Sequence, residues 1–158
     1  MTAPAKGDDR TVLLLLPVTK EMYPLNTAAF TRAQASRQRL ANDYRDALIL
    51  DRDGSVRKIE RLDVLGPWGY SMGRKLLSRF TDAWSINVAL SDPLPSSLEQ
   101  VKQLLIDCME SPQSADSMQL ESPDARKQFF ASVRAASNMA ELIALLRLPE
   151  PEDALDVL

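Results

Sequence analysis

Residues 47–56, with the sequence "ALILDRDGSV", indicate how the sheet of this chain is built. A short apolar run leads into Asp51-Arg52-Asp53-Gly54-Ser55, and an Asp-Gly pair at this place is typical of the turn in a β-hairpin. The chain then continues directly into the strand-like "VRKIERLDVL" (residues 56–65). A parallel pair of strands would need a crossover connection of a dozen or more residues, for which there is no room. These residues therefore predict an antiparallel hairpin.

Two further segments have the character of strands. The continuous apolar run "VLLLLPV" (residues 12–18) is typical of a strand buried on both faces, and "SINVALS" (residues 85–91) alternates as a half-buried strand does. The imperfect alternation after Val56 predicts a β-bulge near Lys58. Four strands are predicted in all, over residues 12–18, 45–50, 56–65 and 85–91.

Helices are predicted mainly in the second half of the chain. Residues 97–110 place apolar side chains at helical spacing, Ser96 or Ser97 is expected to be the N-cap, and Ser96 with Glu99 has the spacing of a capping box. Ser122-Pro123 predicts a helix that begins with proline, and Ser137 or Asn138 is expected to cap the last helix.

Strands followed by helices predict an α+β fold, with a small, largely antiparallel sheet of about four strands covered by the C-terminal helices. Two helical segments are expected earlier. One begins near Asn26 or Thr27, with an apolar stripe of Ala29, Ala33 and Leu40, and residues 75–80 form a helical turn.

The length of 158 residues predicts a single domain. Residues 1–10 are expected to be disordered, residues 11–148 to form the domain and residues 149–158 to form an acidic C-terminal tail. The apolar run near the N-terminus is too short for a membrane helix, and two aspartates before it with no cleavage site after it disfavour a signal peptide. The single Cys108 excludes an internal disulfide, and we expect a cytoplasmic location.

The absence of histidine removes much chemistry. Ser-His-Asp and Cys-His sites and the usual zinc sites cannot form, and no glycine-rich nucleotide-binding motif occurs. Cys108 lies on the apolar stripe of its helix and is expected to be a buried core thiol. We predict no catalytic residues, no cofactor and no metal.

Charge is distributed unevenly along the chain. Residues 1–80 hold 14 Lys and Arg against 9 Asp and Glu, whereas residues 81–158 hold 5 against 13. The acidic second half argues against nucleic acid as the partner, because phosphate binding needs basic surface. A nucleic-acid binder remains one alternative, using Arg32, Arg37, Arg39 and the basic residues of 74–79.

The residues Leu48 to Ser55 resemble the opening motif of haloacid-dehalogenase-like phosphatases. That resemblance implies a doubly wound fold in which Asp51 is the nucleophile and Asp53 the general acid/base. The family also requires a later Ser/Thr, a Lys and an acidic pair that holds magnesium. No adjacent Asp-Asp pair follows residue 55, so the hairpin is preferred over the phosphatase.

The hairpin belongs to a longer order of segments. A strand, an Asp-Gly turn and a basic strand are followed by a Gly-Trp-Gly segment, an alternating strand, a "SLEQVK" helix and an "AELIALL" helix. This order, over residues 45–148, resembles small bacterial immunity-type proteins encoded beside polymorphic or contact-dependent toxins. The resemblance implies a non-catalytic cytoplasmic protein that binds and neutralises a cognate toxin. An intracellular adaptor or chaperone-like module is the main alternative.

If the partner is a basic toxin domain, acidic side chains would steer its association. We therefore expect the helix-loop edge after residue 97 to face the partner. Trp68 and Tyr70 are a second candidate, since Trp and Tyr are frequent at interface hot spots, although Trp68, Tyr70 and Trp84 could equally be core residues. The residues predicted at the acidic edge are Glu99, Asp107, Glu110, Asp116, Glu121 and Asp124.

Overall fold

The computed structural model describes residues 10–44, 46–69, 71–111, 114, 118, 120 and 122–148, with the backbone alone at residues 28 and 29. The predicted N-terminal disorder and acidic tail therefore fall almost wholly outside the described residues. The strands are β1 (Thr11–Leu16), β2 (Glu21–Asn26), β3 (Arg32–Gln34), β4 (Leu48–Leu50), β5 (Val56–Pro67) and β6 (Ala83–Leu90). The helices are α1 (Arg37–Asn42), α2 (Met72–Phe80), α3 (Leu98–Cys108), α4 (Pro123–Ala135) and α5 (Met139–Leu146), and a 3-10 turn covers Thr27–Thr31.

The six described strands form one curled antiparallel sheet in the order β2-β1-β4-β5-β6-β3. The predicted α+β class and antiparallel pairing are confirmed, and all four predicted strands are present. The predicted number of strands was wrong, because the two edge strands β2 and β3 were missed. β2 contains Pro24, which an edge strand tolerates because one of its sides has no ladder, and β3 has only three residues.

The helix predicted to begin near Asn26 or Thr27 was also wrong. The chain instead makes the 3-10 turn, then β3, and only then the short helix α1. Of its expected stripe, Ala33 is buried on β3 and Leu40 is buried on α1, so the two side chains reach the core from different elements. Pairing with β6 accounts for the difference, because β3 gains a sheet neighbour that a local pattern does not reveal.

The hairpin predicted from "ALILDRDGSV" is present. Leu48 pairs with Lys58 and Leu50 with Val56, and residues 51–55 form the connection. The backbone amide of Gly54 donates to the carbonyl of Asp51 at 3.0 Å. Gly54 has φ +86, and a Cβ there would lie 2.5 Å from Cγ of Met139, so the turn requires glycine both for its conformation and for its contact with α5.

Strand β1 separates two apolar cores. Its alternate side chains Leu13 and Leu15 pack with α3, α4 and α5 on one face of the sheet. Val12, Leu14 and Leu16 pack on the other face, where the sheet curls around the 3-10 turn and α1. The expected cover of C-terminal helices is therefore found on one face, while the segment before β4 closes the other.

The C-terminal helices begin close to their predicted capping residues. Ser97, one of the two predicted N-caps, caps α3; its partner in the capping box is Gln100, so the predicted capping-box pair Ser96 and Glu99 was wrong by one residue. Ser122 caps α4 with Pro123 at its start, and Asn138 caps α5. The predicted bulge corresponds to an irregularity of β5 between Ile59 and Arg61.

Candidate functional site

The hairpin carboxylates hold the turn together. Asp51 is buried and pairs with Arg10 at 2.7 Å, and it also accepts the backbone amide of Arg52 at 2.7 Å. Asp53 accepts the hydroxyl of Ser55 at 2.6 Å and its amide at 2.8 Å, and these bonds lower the pKa of Asp53. The phosphatase resemblance implies a doubly wound sheet, whereas the described strands are antiparallel. No group of His, Cys, Asp or Glu in the described residues has the arrangement of a metal site.

The predicted acidic edge is only partly described, since Asp116 and Glu121 lie outside the described residues. Glu99 is 81% exposed in the first turn of α3 and lies 3.4 Å from Lys102. Asp107 accepts from Gln103, Glu110 pairs with Lys20 at 3.3 Å, and Asp124 is exposed at the start of α4. These carboxylates are solvated and mostly paired within the chain, and their role at an interface stays a prediction.

The thiol of Cys108 is buried among the side chains between β1 and α3, as predicted. Burial, together with the charge of Asp107, raises its pKa to about 11. The thiolate is therefore strongly disfavoured at neutral pH, and this side chain acts as a small core residue.

Helix α2 has the reverse of the usual orientation. Its buried residue is Ser78, whose hydroxyl donates to the carbonyl of Trp68 at 2.5 Å. Four large apolar side chains on the opposite side face solvent, and we call them the α2 apolar row. They are Met72 (89% exposed), Leu76 (58%), Leu77 (51%) and Phe80 (80%).

The spacing of the α2 apolar row makes it a continuous surface. Met72, Leu76 and Phe80 follow one another at four-residue intervals, and Leu77 widens the row to about 140° of the helix circumference. Gly73 lies within the same arc, where a Cβ would meet nothing within 4 Å. Contiguous exposed apolar surface of this kind marks interaction sites in folded proteins.

A basic border accompanies the row. Arg74, Lys75 and Arg79 lie on α2, and the chain has no Asp or Glu between Asp63 and Asp82. Lys75 and Arg79 are exposed one turn apart and lie beside the apolar arc. The surface is therefore apolar in the middle and positively charged along one side.

Arginine side chains lie over the rings of two tryptophans. The guanidinium carbons of Arg32 and Arg74 lie 4.0 and 4.9 Å from the ring centre of Trp68, and that of Arg37 lies 4.6 Å from the ring centre of Trp84. Such cation-π contacts hold the guanidinium groups in place. Trp68 is half-buried and Trp84 is buried, while the predicted interface residue Tyr70 lies outside the described residues.

Arg37, Arg79 and Trp84 line a cleft of about 330 Å³, which we call the basic cleft. The indole of Trp84 donates to the carbonyl of Ala35 at 3.1 Å, which fixes the floor of the cleft. Arg39, which the nucleic-acid alternative groups with Arg37, instead pairs with Asp43 at 2.7 Å and with Glu21 at 3.4 Å.

The cations of this region lack acidic partners within the described part of the chain. None of them forms an ion pair there, whereas seven such pairs occur elsewhere in the described residues. An interface commonly combines an apolar centre with arginine, and this surface has that composition. The side chains concerned are Arg32, Arg37, Arg74, Lys75 and Arg79.

From the sequence, Trp68 is a candidate interface residue, which stays a prediction, and the α2 apolar row is missed. The signal was present in "SMGRKLLSRF" (residues 71–80), where apolar residues recur at four-residue spacing beside cations without any acid. A helical turn predicted over residues 75–80 alone does not include Met72 in the pattern.

No family model matches this chain, and neither a curated protein nor a solved structure is detectably similar to it. In the described residues, no helix has the length and apolar character needed to cross a membrane.

Proposed function

We propose that this protein is a non-catalytic binding module that docks a protein partner on the α2 apolar row. The observation that carries the proposal is the reversed orientation of α2, which buries Ser78 and exposes Met72 and Phe80. Covering these side chains would remove apolar area from water, which is the main favourable term in protein association. The positive charges of the basic border would also orient an approaching partner.

A protein partner agrees better with this surface than a membrane or a nucleic acid. Membrane binding by an amphipathic helix increases with the apolar area that it buries and with its attraction to anionic lipids, and here the apolar row has only four large side chains on a chain of net charge -3. Single-stranded nucleic acid is commonly held by bases stacked on free aromatic rings. Here Trp84 is buried, and guanidinium groups already lie over the rings of Trp68 and Trp84.

The resemblance to immunity-type proteins supports a more specific form of the proposal. In that form the protein is cytoplasmic and bacterial, and it neutralises a toxin encoded by the neighbouring gene. Binding would act by covering a surface of the toxin, because the proposal assigns no chemical step to this chain.

The experiment is to co-express the chain with the neighbouring gene and to titrate the two purified proteins by calorimetry. We expect growth protection and a 1:1 complex. The double variant Met72→Gln, Phe80→Gln should lose at least about 2 kcal/mol of binding, or roughly thirtyfold in affinity, because two exposed apolar anchors are removed. Val18→Gln is the matched control, since Val18 is 60% exposed in the turn after β1.

A second variant tests the acidic edge as the competing interface. Charge reversal of Asp107, Asp116 and Glu121 together should leave protection intact if the α2 apolar row is the interface. If this triple variant loses protection while the α2 double variant keeps it, the interface lies at the acidic edge instead. Failure of the neighbouring product to bind wild-type protein would overturn the immunity form and favour the adaptor.

A further inference from the structure

We propose that the basic cleft is a carboxylate-binding site that receives an Asp or Glu side chain of the partner docked on the α2 apolar row. This inference rests on the proposed function and adds the chemistry of the partner. An acidic side chain bordered by apolar residues is the feature that the cleft and the row would recognise together.

The cleft is built from three elements held together by backbone and side-chain bonds. Arg37 begins α1, Arg79 lies in the last turn of α2, and Trp84 lies on β6. The amide of Ala35 donates to the carbonyl of Asp82 at 3.1 Å, which joins the segment before α1 to the turn after α2. Arg37 and Arg79 are both exposed and line the cleft, and the guanidinium carbon of Arg37 lies 4.6 Å from the ring centre of the buried Trp84, whose own N–H is already satisfied.

The chemistry of the lining fits a carboxylate. A guanidinium group presents parallel N–H donors that match the two oxygens of a carboxylate. The positive charges of two arginines favour an anion over a neutral group. The volume of about 330 Å³ lies at the lower end of the range for small ligand pockets and suits one side chain with its water. Neither arginine has a carboxylate partner among the described residues.

The position of Arg79 links the cleft to the α2 apolar row. Arg79 follows Leu76 by three positions on the helix, so the two side chains are neighbours on its surface. A partner that covers Leu76 and Phe80 would therefore bring its next residue to the cleft. A second copy of this chain docked α2 against α2 would oppose the two basic borders, which disfavours self-association through this surface.

The test uses the full chain labelled with ¹⁵N and two synthetic 12-residue peptides. Both peptides carry leucine at helical spacing, and their polar positions are glutamate in one and glutamine in the other. The signals followed are the indole N–H of Trp84 and the Nε–H groups of Arg37 and Arg79. We expect saturable shifts with the glutamate peptide and about tenfold weaker binding of the glutamine peptide.

Variants separate the cleft from the row. Arg37→Gln and Arg79→Gln should each weaken the glutamate peptide about tenfold and leave the glutamine peptide unchanged. Met72→Gln with Phe80→Gln should weaken both peptides. Lys127→Gln, an exposed cation on α4, is the control and should change neither.

The outcomes distinguish this inference from the proposed function. Unchanged affinity for the glutamate peptide in both arginine variants, or no binding of that peptide by wild-type protein at millimolar concentration, would overturn the carboxylate site. Tighter arginine-dependent binding of duplex DNA or of phosphatidylserine vesicles would also overturn it, in favour of a phosphate ligand. If only the α2 double variant is without effect, the docking surface fails while the carboxylate site stands.

Discussion

The reversed orientation of α2 predicts that its apolar row contributes little to the stability of the monomer. The double variant Met72→Gln, Phe80→Gln tests this directly. The wild-type side chains are 89% and 80% exposed, so about a tenth of one and a fifth of the other are withdrawn from water. Full burial of such a side chain is worth about 1.5–3 kcal/mol, and the buried fractions therefore amount to about 0.5–1 kcal/mol together. Glutamine forms helix about as well as methionine, so the helix itself is preserved.

The assay is urea unfolding followed by circular dichroism, and the free energies of unfolding are compared with one shared m-value for wild type and variant. The positive control is Leu105→Ala on α3, where the wild-type side chain is fully buried and truncation should cost about 2–5 kcal/mol. A loss of 2 kcal/mol or more in the α2 double variant would refute the reasoning, since the row would then be covered within the monomer. The proposed docking surface would fall with it.

Three further predictions concern the hairpin and the core. Gly54→Ala should destabilise the protein by about 1–3 kcal/mol in urea unfolding, because alanine is strained at φ +86 and its Cβ would press on Met139; an unchanged midpoint would contradict the turn geometry. Asp51→Asn should lower the free energy of unfolding by about 1 kcal/mol, because it weakens the pair with Arg10. Wild-type protein should show no magnesium-dependent hydrolysis of phosphoesters; hydrolysis by the wild type that is lost in this variant would favour the phosphatase. The stability of wild-type protein should fall between pH 9 and about 11, because the unfolded chain ionises its thiol at the ordinary pKa of 9.0 while folded Cys108 does not. Cys108→Ala should flatten that part of the pH profile, and an identical slope in this variant would assign the loss to other groups.

The hairpin was predictable because its signal is local. Asp53 and Gly54 specify the turn, and the flanking apolar residues specify the strands, within a stretch of ten residues. The edge strands lack such a signal. β2 carries Pro24, and β3 is three residues long, so each is defined by its neighbour in the sheet rather than by its own pattern.

The candidate site was less predictable than the fold for the same reason. Helical spacing shows that Met72, Leu76 and Phe80 share a face, but it does not show whether that face is buried. Arg37 and Arg79 are 42 positions apart in the sequence, and they line one cleft because β3 pairs with β6. Without β3 in the predicted sheet, nothing placed the two arginines together.

Helix α2 is held in place by polar contacts instead of an apolar face. Ser71 caps it by accepting the amide of Arg74 at 3.1 Å, Ser78 binds the carbonyl of Trp68, and Arg74 lies over the indole of Trp68. An isolated helix of nine residues is marginal in water, so these contacts supply the order that a buried apolar face supplies for α3. Met72 and Phe80, the most exposed members of the apolar row, therefore contribute little to holding α2 within the described fold. On the proposed function, a partner would bury the row without the helix having to rearrange, so binding would lose little conformational entropy at α2.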